Sequence, residues 1–600
     1  MHTPLQKRAY AHINQKTISS SMRFGRVTSC TLLLLLFTVI IIGEVHGQCT
    51  RQIRKYADFQ GKYETVLYAL GLPVLYGSVT NDNYATDNNP ATASTLNMPL
   101  TALGLASVTQ FLQFTSNGTT AQSIATGTPV TVKFTVPTSL LGVLNSIEIG
   151  TFSGLHTVAQ QTAFIGLGNN AGYDATTKTQ YYTGTTVVDA LNAAGEVELT
   201  FTPAEIYNGV YVKLNAPLVS LALSTNVFHA YIMQDATGNI GCDDRIDVLS
   251  GVKGNVLANL ASATGSVTNP WNAVDNDPTY TTYALMSTGV QVLSNVFETV
   301  IFQTPSVAGD SVSIVVQNPG GGLLDLSLLT GFTIQPYLGN TTAGPAITNN
   351  PTFLSLRLLP GSADKYIVTA AVNTPFDRIE ITMGGVASAL ANLRIYDISR
   401  IRHVPATSTL TVNGIPATGP LCLNQTAGLQ FSVTNNESCA IYTWYDAGNN
   451  QLTTGVSNGG LSYAPTITTA GTYEYYVKAS RQGCTNSTAQ TPVAITVLSL
   501  PDVPVIPPVI VCIDQAATLT ISNAATGVQY AWYSTALGTT ALSNTVTNGI
   551  SYTTGIPAAA IYYAEATNTS TGCTSSSRGT GNVTVTPKPG MPTLSILPHP

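Results

Sequence analysis

Charge is what this chain has least of. Only 9% of its residues are charged, against roughly 25% in an ordinary soluble protein, and 24 Lys and Arg face 30 Asp and Glu. Nucleic-acid binding needs clustered cations that displace counterions, so that class is excluded. Histidine is scarce too: past the N-terminal segment only His156, His229, His403 and His599 remain. None stands beside a nucleophile motif, and no HExxH pattern occurs. No two cysteines have CxxC spacing and no histidine lies near one, which leaves a structural zinc site without support. The glycine run in NPGGGLLD at 318–325 lacks the Lys and Ser or Thr of a phosphate loop. Glu196 and Glu198 in GEVELTF share one strand face, and a solvated pair is expected, because glycosidase carboxylates normally come from different elements. The expectation is a protein without catalytic activity in this region.

What is abundant points to strands. Apolar residues make up 44% of the chain, and its polarity comes from Thr, Ser, Asn and Gly. Thr and the β-branched aliphatics suit a pleated surface, while Gly and Asn accept the dihedrals of tight turns. With 600 residues the chain exceeds what one core supports, since single domains stop growing near roughly 250 to 300 residues. At the start, Arg23 and Arg26 precede an apolar run from Thr31 to Ile42, followed by Val45, His46 and Gly47. The run is shorter than the roughly 20 residues of a membrane span. It reads as a secretory signal peptide over 1–47, cut before Gln48, and Met22 offers a more conventional start than Met1. Lipid attachment would need a cysteine directly after the cut, and Cys49 is one position too far. No later segment is apolar enough to span a membrane as a helix.

Two kinds of internal repeat follow. The longer one shows in GSVTN, at Gly77–Asn81 and again at Gly265–Asn269. At the same offset, Asp87 and Pro90 of TDNNP match Asp275 and Pro278 of VDNDP. Farther on, YNGVYVKL from Tyr207 resembles FDRIEITM from Phe376, so the copies differ in loop length. VTVKFTV at 130–136, VELTF at 197–201, SVSIVV at 311–316 and IEIT at 379–382 alternate as strands do. One long sandwich is expected over 48–235 and a second over 236–403, jelly-roll-like or simple.

The shorter repeat occupies 404–500 and 501–588. CLNQTAGLQFSV, IYTWYDA, GTYEYYVKASRQGCT and VAITV in the first copy are paralleled by CIDQAATLTIS, QYAWYST, IYYAEATNTSTGCT and NVTVT in the second. These segments resemble the immunoglobulin-like modules of surface and gliding-associated proteins of Bacteroidota. The fold class expected is therefore all-β: two long sandwich repeats, then two Ig-like domains. Trp444 and Trp532 are expected in the cores, and in GTYEYYVK one face should carry Tyr473, Tyr475 and Val477, the other Glu474 and Lys478. LPDVPVIPP at 500–508 reads as an extended, semi-rigid spacer in a stalk. Residues 589–600 read as a similar linker toward a further module.

Seven cysteines remain once Cys30 leaves with the leader, and export permits disulfides. Cys422 and Cys484 stand 62 positions apart and Cys512 and Cys573 stand 61 apart, each interval inside one Ig-like copy, so two intradomain bridges are expected. Cys49 and Cys242 head the two long repeats and are a third candidate pair, which leaves Cys439 over.

For ligand binding, Asp275 and Asp277, with Asp87 in the first copy, offer oxygens to calcium, and no other cofactor is expected. The commoner use of an Asx-rich turn is to bond its own backbone. Trp271, Tyr280 and Tyr283 near that loop resemble the entry loop of discoidin-like carbohydrate-binding sandwiches, although aromatics more often pack on a sheet. The leading expectation is a secreted or cell-surface structural or adhesion protein. The alternative is a glycan-binding surface protein, calcium-dependent through the long repeats. An extracellular glycan or surface protein would be the partner. A third reading places a catalytic domain beyond residue 600.

Overall fold

The computed structural model describes residues 51–596, except for short internal segments such as 100–105, 137–145, 154–163, 171–176, 217–221, 255–262, 385–389 and 544–548. The expected leader and Cys49 lie outside the described residues. What is described is all-β, arranged as tandem sandwiches.

In the first long repeat, a five-stranded sheet runs Thr177–Thr183, Ile147–Ser153, Gly209–Asn215, Ser107–Gln113, Phe59–Glu64. Its partner sheet runs Ala193–Phe201, Val130–Val136, Leu223–Asp235, Ser94–Met98, Ser78–Thr80, with Gln52–Tyr56 also paired to Leu223–Asp235. The second repeat copies this order. Thr341–Thr342, Phe332–Leu338, Arg378–Gly384, Ser294–Phe302 and Arg245–Gly254 form one sheet, and Ser266–Thr268, Ala284–Ser287, Asn392–Ile401, Ser311–Gln317, Lys365–Ala371 and Leu354–Leu358 form the other. All four strands expected from alternation are present, because their β-branched residues put every second side chain into a core. Both GSVTN copies enter a short 3-10 turn through a left-handed asparagine, Asn81 at φ 54° and Asn269 at φ 53°.

The repeats are not separate beads. Arg245–Gly254, an edge strand of the second, pairs antiparallel with Ala193–Phe201, an edge strand of the first. The two half-sheets become one sheet, and a single hydrophobic core extends from Ala57 to Ile398. At the junction Gly195 faces Gly251. A Cβ on Gly195 would collide with the Ser250 carbonyl, and one on Gly251 with the Ala194 carbonyl, so the pairing requires both glycines.

Each Ig-like module has its own core. Trp444 and Trp532 are fully buried, and each indole N–H donates to a glycine carbonyl, Gly460 or Gly549, at 2.7 Å. Tyr475 and Val477 point inward and Glu474 outward, as the alternation in GTYEYYVK implies. The proline segment before the second module is only partly a spacer. Pro504 and Ile506 are buried, Ile506 in that module's core, and Asn523 bonds both Val503 and Val505 of the segment.

The cysteines correct the expected pairing. Cys484 bonds Cys242, not Cys422, and Cys573 bonds Cys422, not Cys512. Cys242 is therefore not joined to Cys49. Cys439 is disulfide-bonded, and Cys512 is the free cysteine among the described residues, exposed to solvent. Both described bridges run between modules. The Cys242–Cys484 contact is reinforced around it: Ile240 N–H donates to Gly483 O at 3.0 Å and Thr485 N–H to Ile240 O at 2.9 Å. Beside it Arg481 bridges Asp310 at 2.7 Å and Glu437 at 3.0 Å.

Peptide mapping of the unreduced chain should recover 242–484 and 422–573 linkages. Maleimide added before denaturation should label Cys512. Recovery of a 422–484 peptide would overturn the intermodule arrangement.

Candidate functional site at the seam of the long repeats

The densest chemistry lies where the two long repeats meet. Asp247 enters from the second repeat on a strand whose register shifts between Arg245 and Asp247, and it is fully buried. Its carboxylate accepts from Lys133 Nζ at 2.7 Å and Arg54 Nη1 at 2.8 Å, and His229 Nε2 stands at 3.2 Å. Lys133, also fully buried, donates further to the carbonyls of Val248 at 2.9 Å and Pro90 at 3.2 Å. A second buried carboxylate, Glu198, takes Arg54 at 3.1 Å and Arg378 of the second repeat at 2.7 Å, with the Tyr231 hydroxyl at 3.1 Å. The Arg54 guanidinium lies 3.9 Å over the Tyr231 ring. The expectation that Glu198 is solvated was wrong: its strand becomes internal once the repeats join, and two guanidiniums replace water around it.

Burial opposes every charge here, yet the partners reverse its effect on four groups, among them Arg54, which is raised well above its usual value against burial, chiefly by Glu198. Asp247 is held well below the usual carboxylate range against burial by Lys133, His229 and Arg54. Glu198 is likewise lowered against burial by Arg54 and Arg378, and Arg378 is raised against burial by Glu198. His229 is lowered by burial, which the Asp247 contact does not overcome, and its ring is neutral at pH 7. The network ties the two repeats together, and the buried Nδ1 of His229 is left without a hydrogen-bond partner.

Two groups of metal-ligating side chains converge among the described residues, Glu198–His229–Asp247 and Asp310–His403–Glu437. Each already surrounds side-chain cations: Lys133 and Arg54 in the first, Arg481 in the second. The sequence candidates for calcium are in neither group. Asp277 spends its carboxylate on its own loop, accepting from Thr279 N–H at 2.8 Å and Thr281 N–H and Oγ1 at 2.6 and 2.7 Å. The Thr279 hydroxyl, also bonded to it at 2.5 Å, and then the Thr281 hydroxyl and the two backbone N–H groups hold its pKa well below the ordinary value. Asp275 accepts from Asp277 N–H at 3.0 Å. In the first copy Asp87 accepts from Asn89 N–H at 2.9 Å and Thr92 Oγ1 at 2.8 Å. All three cap Asx turns.

The aromatic candidates separate. Trp271 packs against the shared core, 5.4 Å from Lys133 Nζ. Tyr280 and Tyr283 join Tyr396 in another cluster, Tyr283 at 5.5 Å from it and under Arg394 at 4.6 Å. Tyr280, at φ 53°, uses its carbonyl to hold Lys365 at 2.6 Å. One catalytic spelling escaped the sequence reading: Gly455–Gly459 is GVSNG, which fits GxSxG. Its serine lies in a two-residue strand, Val456–Ser457, before a 3-10 turn, and so lacks the strand–turn–helix elbow that gives this motif its chemistry. Apart from Glu198, the seam residues went unnoticed because they are scattered singly over 54–378; lone Lys and Asp inside apolar strands, as in VTVKFTV and RIDVLSG, were the available signal.

Residues 501–587 match the family described as Ig-like domain, CHU_C associated. No curated protein matches the chain. Among solved structures it is similar to murine CEACAM1b, at 14% identity over 30% of this chain and 100% of that one, with a TM-score of 0.17. It is also similar to the adhesin domain of Epf from Streptococcus pyogenes, at 9% identity, 45% and 94% coverage and a TM-score of 0.19. A third is SGBP-B of the Bacteroides ovatus mixed-linkage glucan utilization locus, in complex with a mixed-linkage heptasaccharide, at 16% identity, 30% and 47% coverage and a TM-score of 0.14. None of these likenesses is close enough to carry a function.

Removing one partner of a buried ion pair strands the other charge, so Asp247→Asn should cost about 3–5 kcal/mol in urea unfolding. The depressed pKa makes the Asp247 contribution complete above its unfolded value of roughly 3.9, and it should fade as pH falls toward the folded value. Glu298 behaves oppositely. Neither of its carboxylate oxygens has a hydrogen-bond partner, and burial pushes its pKa well up. Its folded form is favoured below the unfolded value of roughly 4.3 and penalised as pH rises through the folded one. Glu298→Gln should therefore gain thermal stability over the wild type at pH 8 and little at pH 4. An equal difference at both would show that the carboxyl does not titrate in this range.

Proposed function

We propose that this chain is an extracellular structural and adhesion protein, without catalytic activity in this region, that holds tandem sandwiches in a fixed succession and presents their surfaces to a partner. The observation that carries this reading is the placement of two disulfides between consecutive modules, Cys242–Cys484 and Cys422–Cys573. Such bonds persist in oxidising compartments, and tying neighbour to neighbour resists separation under load better than stapling each module to itself. The leader-like segment ending at Gly47 supports export. Among the described residues no helix is long and apolar enough to cross a membrane, and the buried carboxylates at the seam face guanidinium and ammonium groups. The Ig-like match at 501–587 supports a module type used for spacing and contact.

Antibody raised against residues 501–587 should label intact, unpermeabilised cells of the producing organism. Deletion of the gene should reduce attachment of those cells to their natural surface several-fold. Labelling that appears only after permeabilisation would overturn the extracellular assignment, and surface labelling with unchanged attachment would overturn the adhesive one.

A further inference from the structure

Beside the buried ion network the seam opens into a cavity of about 480 Å³, within the range of roughly 300–1,000 Å³ typical of small-ligand sites. Strands Arg245–Gly254, Ser294–Phe302, Arg378–Gly384 and Phe332–Leu338 of the second repeat contribute one wall, and Tyr182 of the first repeat contributes to the other. The register sets Leu249, Thr299 and Glu380 side by side across three strands, with Arg378 and Tyr337 directly paired in the next row. Lys253 Nζ bonds Glu380 at 2.5 Å and stands 5.0 Å from the Phe297 ring centroid and 5.5 Å from that of Tyr337. Glu380 also accepts from Thr299 at 3.1 Å and Tyr337 at 3.4 Å. Arg378 is only 8% exposed, yet its Nε has no hydrogen-bond partner, the nearest carboxylate oxygen of Asp377 being 3.9 Å away.

The lining discriminates among ligand classes. Its titratable charges balance, Glu198 and Glu380 against Lys253 and Arg378, so a strongly charged ligand meets as much repulsion as attraction. A purely apolar ligand would strip water from Glu380, Lys253 and Asn340 without replacing its bonds. A neutral polyhydroxylated ring meets both needs. Its C–H face can lie on the Phe297, Tyr337 or Tyr182 ring, while its hydroxyls donate to Glu380 and accept from Lys253 and Asn340.

We propose that the cavity at the seam of the two long repeats binds a neutral saccharide, with Tyr337 as its stacking platform and Lys253, Glu380 and Asn340 as its hydroxyl contacts. This deepens the adhesive reading by naming the partner's chemistry, and it places the sugar away from the loop aromatics Trp271, Tyr280 and Tyr283. The two readings fail separately, because saccharide binding is measured on purified protein and surface display on cells.

The test is a glycan array carrying neutral and acidic glycans, probed with the whole chain, followed by calorimetric titration of the best neutral oligosaccharide. Tyr337→Ala should weaken that binding at least tenfold. Asn340→Trp changes an exposed position at the cavity mouth without touching the buried ion pairs; its indole should block entry and abolish binding while the thermal midpoint stays within a degree or so of the wild type. Binding of no neutral glycan, a preference for acidic glycans, or equal affinity in Asn340→Trp would each overturn the proposal.

Discussion

The antiparallel pairing of Ala193–Phe201 with Arg245–Gly254 is the constraint on which the rest of the structure depends. It turns two edge strands, which would otherwise expose unpaired backbone groups, into interior strands of one sheet. That closure explains the glycines at 195 and 251, where a side chain would meet the facing carbonyl. It also explains why carboxylates so deeply buried are tolerated. Glu198 and Asp247 come from opposite sides of the junction and are neutralised by cations also drawn from both sides. Each repeat alone would leave charges without partners, so the network favours the joined state over either separate one. Such pairs contribute little net stability compared with apolar packing, but they penalise a wrong register heavily.

Much of the fold was legible because it is local. β-branched alternation located the strands, and the repeated GSVTN marked equivalent places in the two copies, each a short strand that enters a turn through left-handed Asn81 or Asn269. The Asx turns were legible as well, since Asp87, Asp275 and Asp277 bond donors within a few residues. The seam was not. Arg54, Lys133, Glu198, Asp247 and Arg378 meet only after sheets from two repeats join, and no local pattern records that. A lysine in an otherwise apolar strand is the trace it leaves, since Lys133 cannot be fully buried without a carboxylate nearby.

The cysteines show how a correct regularity led to a wrong pairing. Intervals of 62 and 61 residues recur because each Ig-like copy carries one cysteine on a strand near its start and one in the turn after its tyrosine-rich strand. Equal spacing establishes that the positions are equivalent and says nothing about which sulfurs meet. Cys422 and Cys512 do hold equivalent places: each lies on a strand parallel to the module's last strand, and each backbone N–H donates to a glutamine three residues on. Cys484 and Cys573 likewise occupy matching turns. In both cases the turn cysteine bonds the preceding module, which makes the two bridges one rule applied twice.

That rule separates two kinds of information in the chain. What makes an Ig-like module fold is contained within it. The Trp444–Gly460 bond recurs as Trp532–Gly549, with both glycines at positive φ where a Cβ would strike the Tyr442 or Tyr530 carbonyl. The Tyr442 hydroxyl takes the Glu437 N–H as Tyr530 takes that of Ala525. What fixes one module against the next lies in other residues: the turn cysteines, Arg481 on Asp310 and Glu437, and Arg402 on Asn486 O at 2.7 Å. Among the described residues Arg481 has no counterpart in the second module's ion pairs, where Arg578 instead reaches Glu565 of its own module at 3.2 Å. The core residues therefore repeat while the contact residues diverge, as expected when every module must fold alike but each meets a different neighbour.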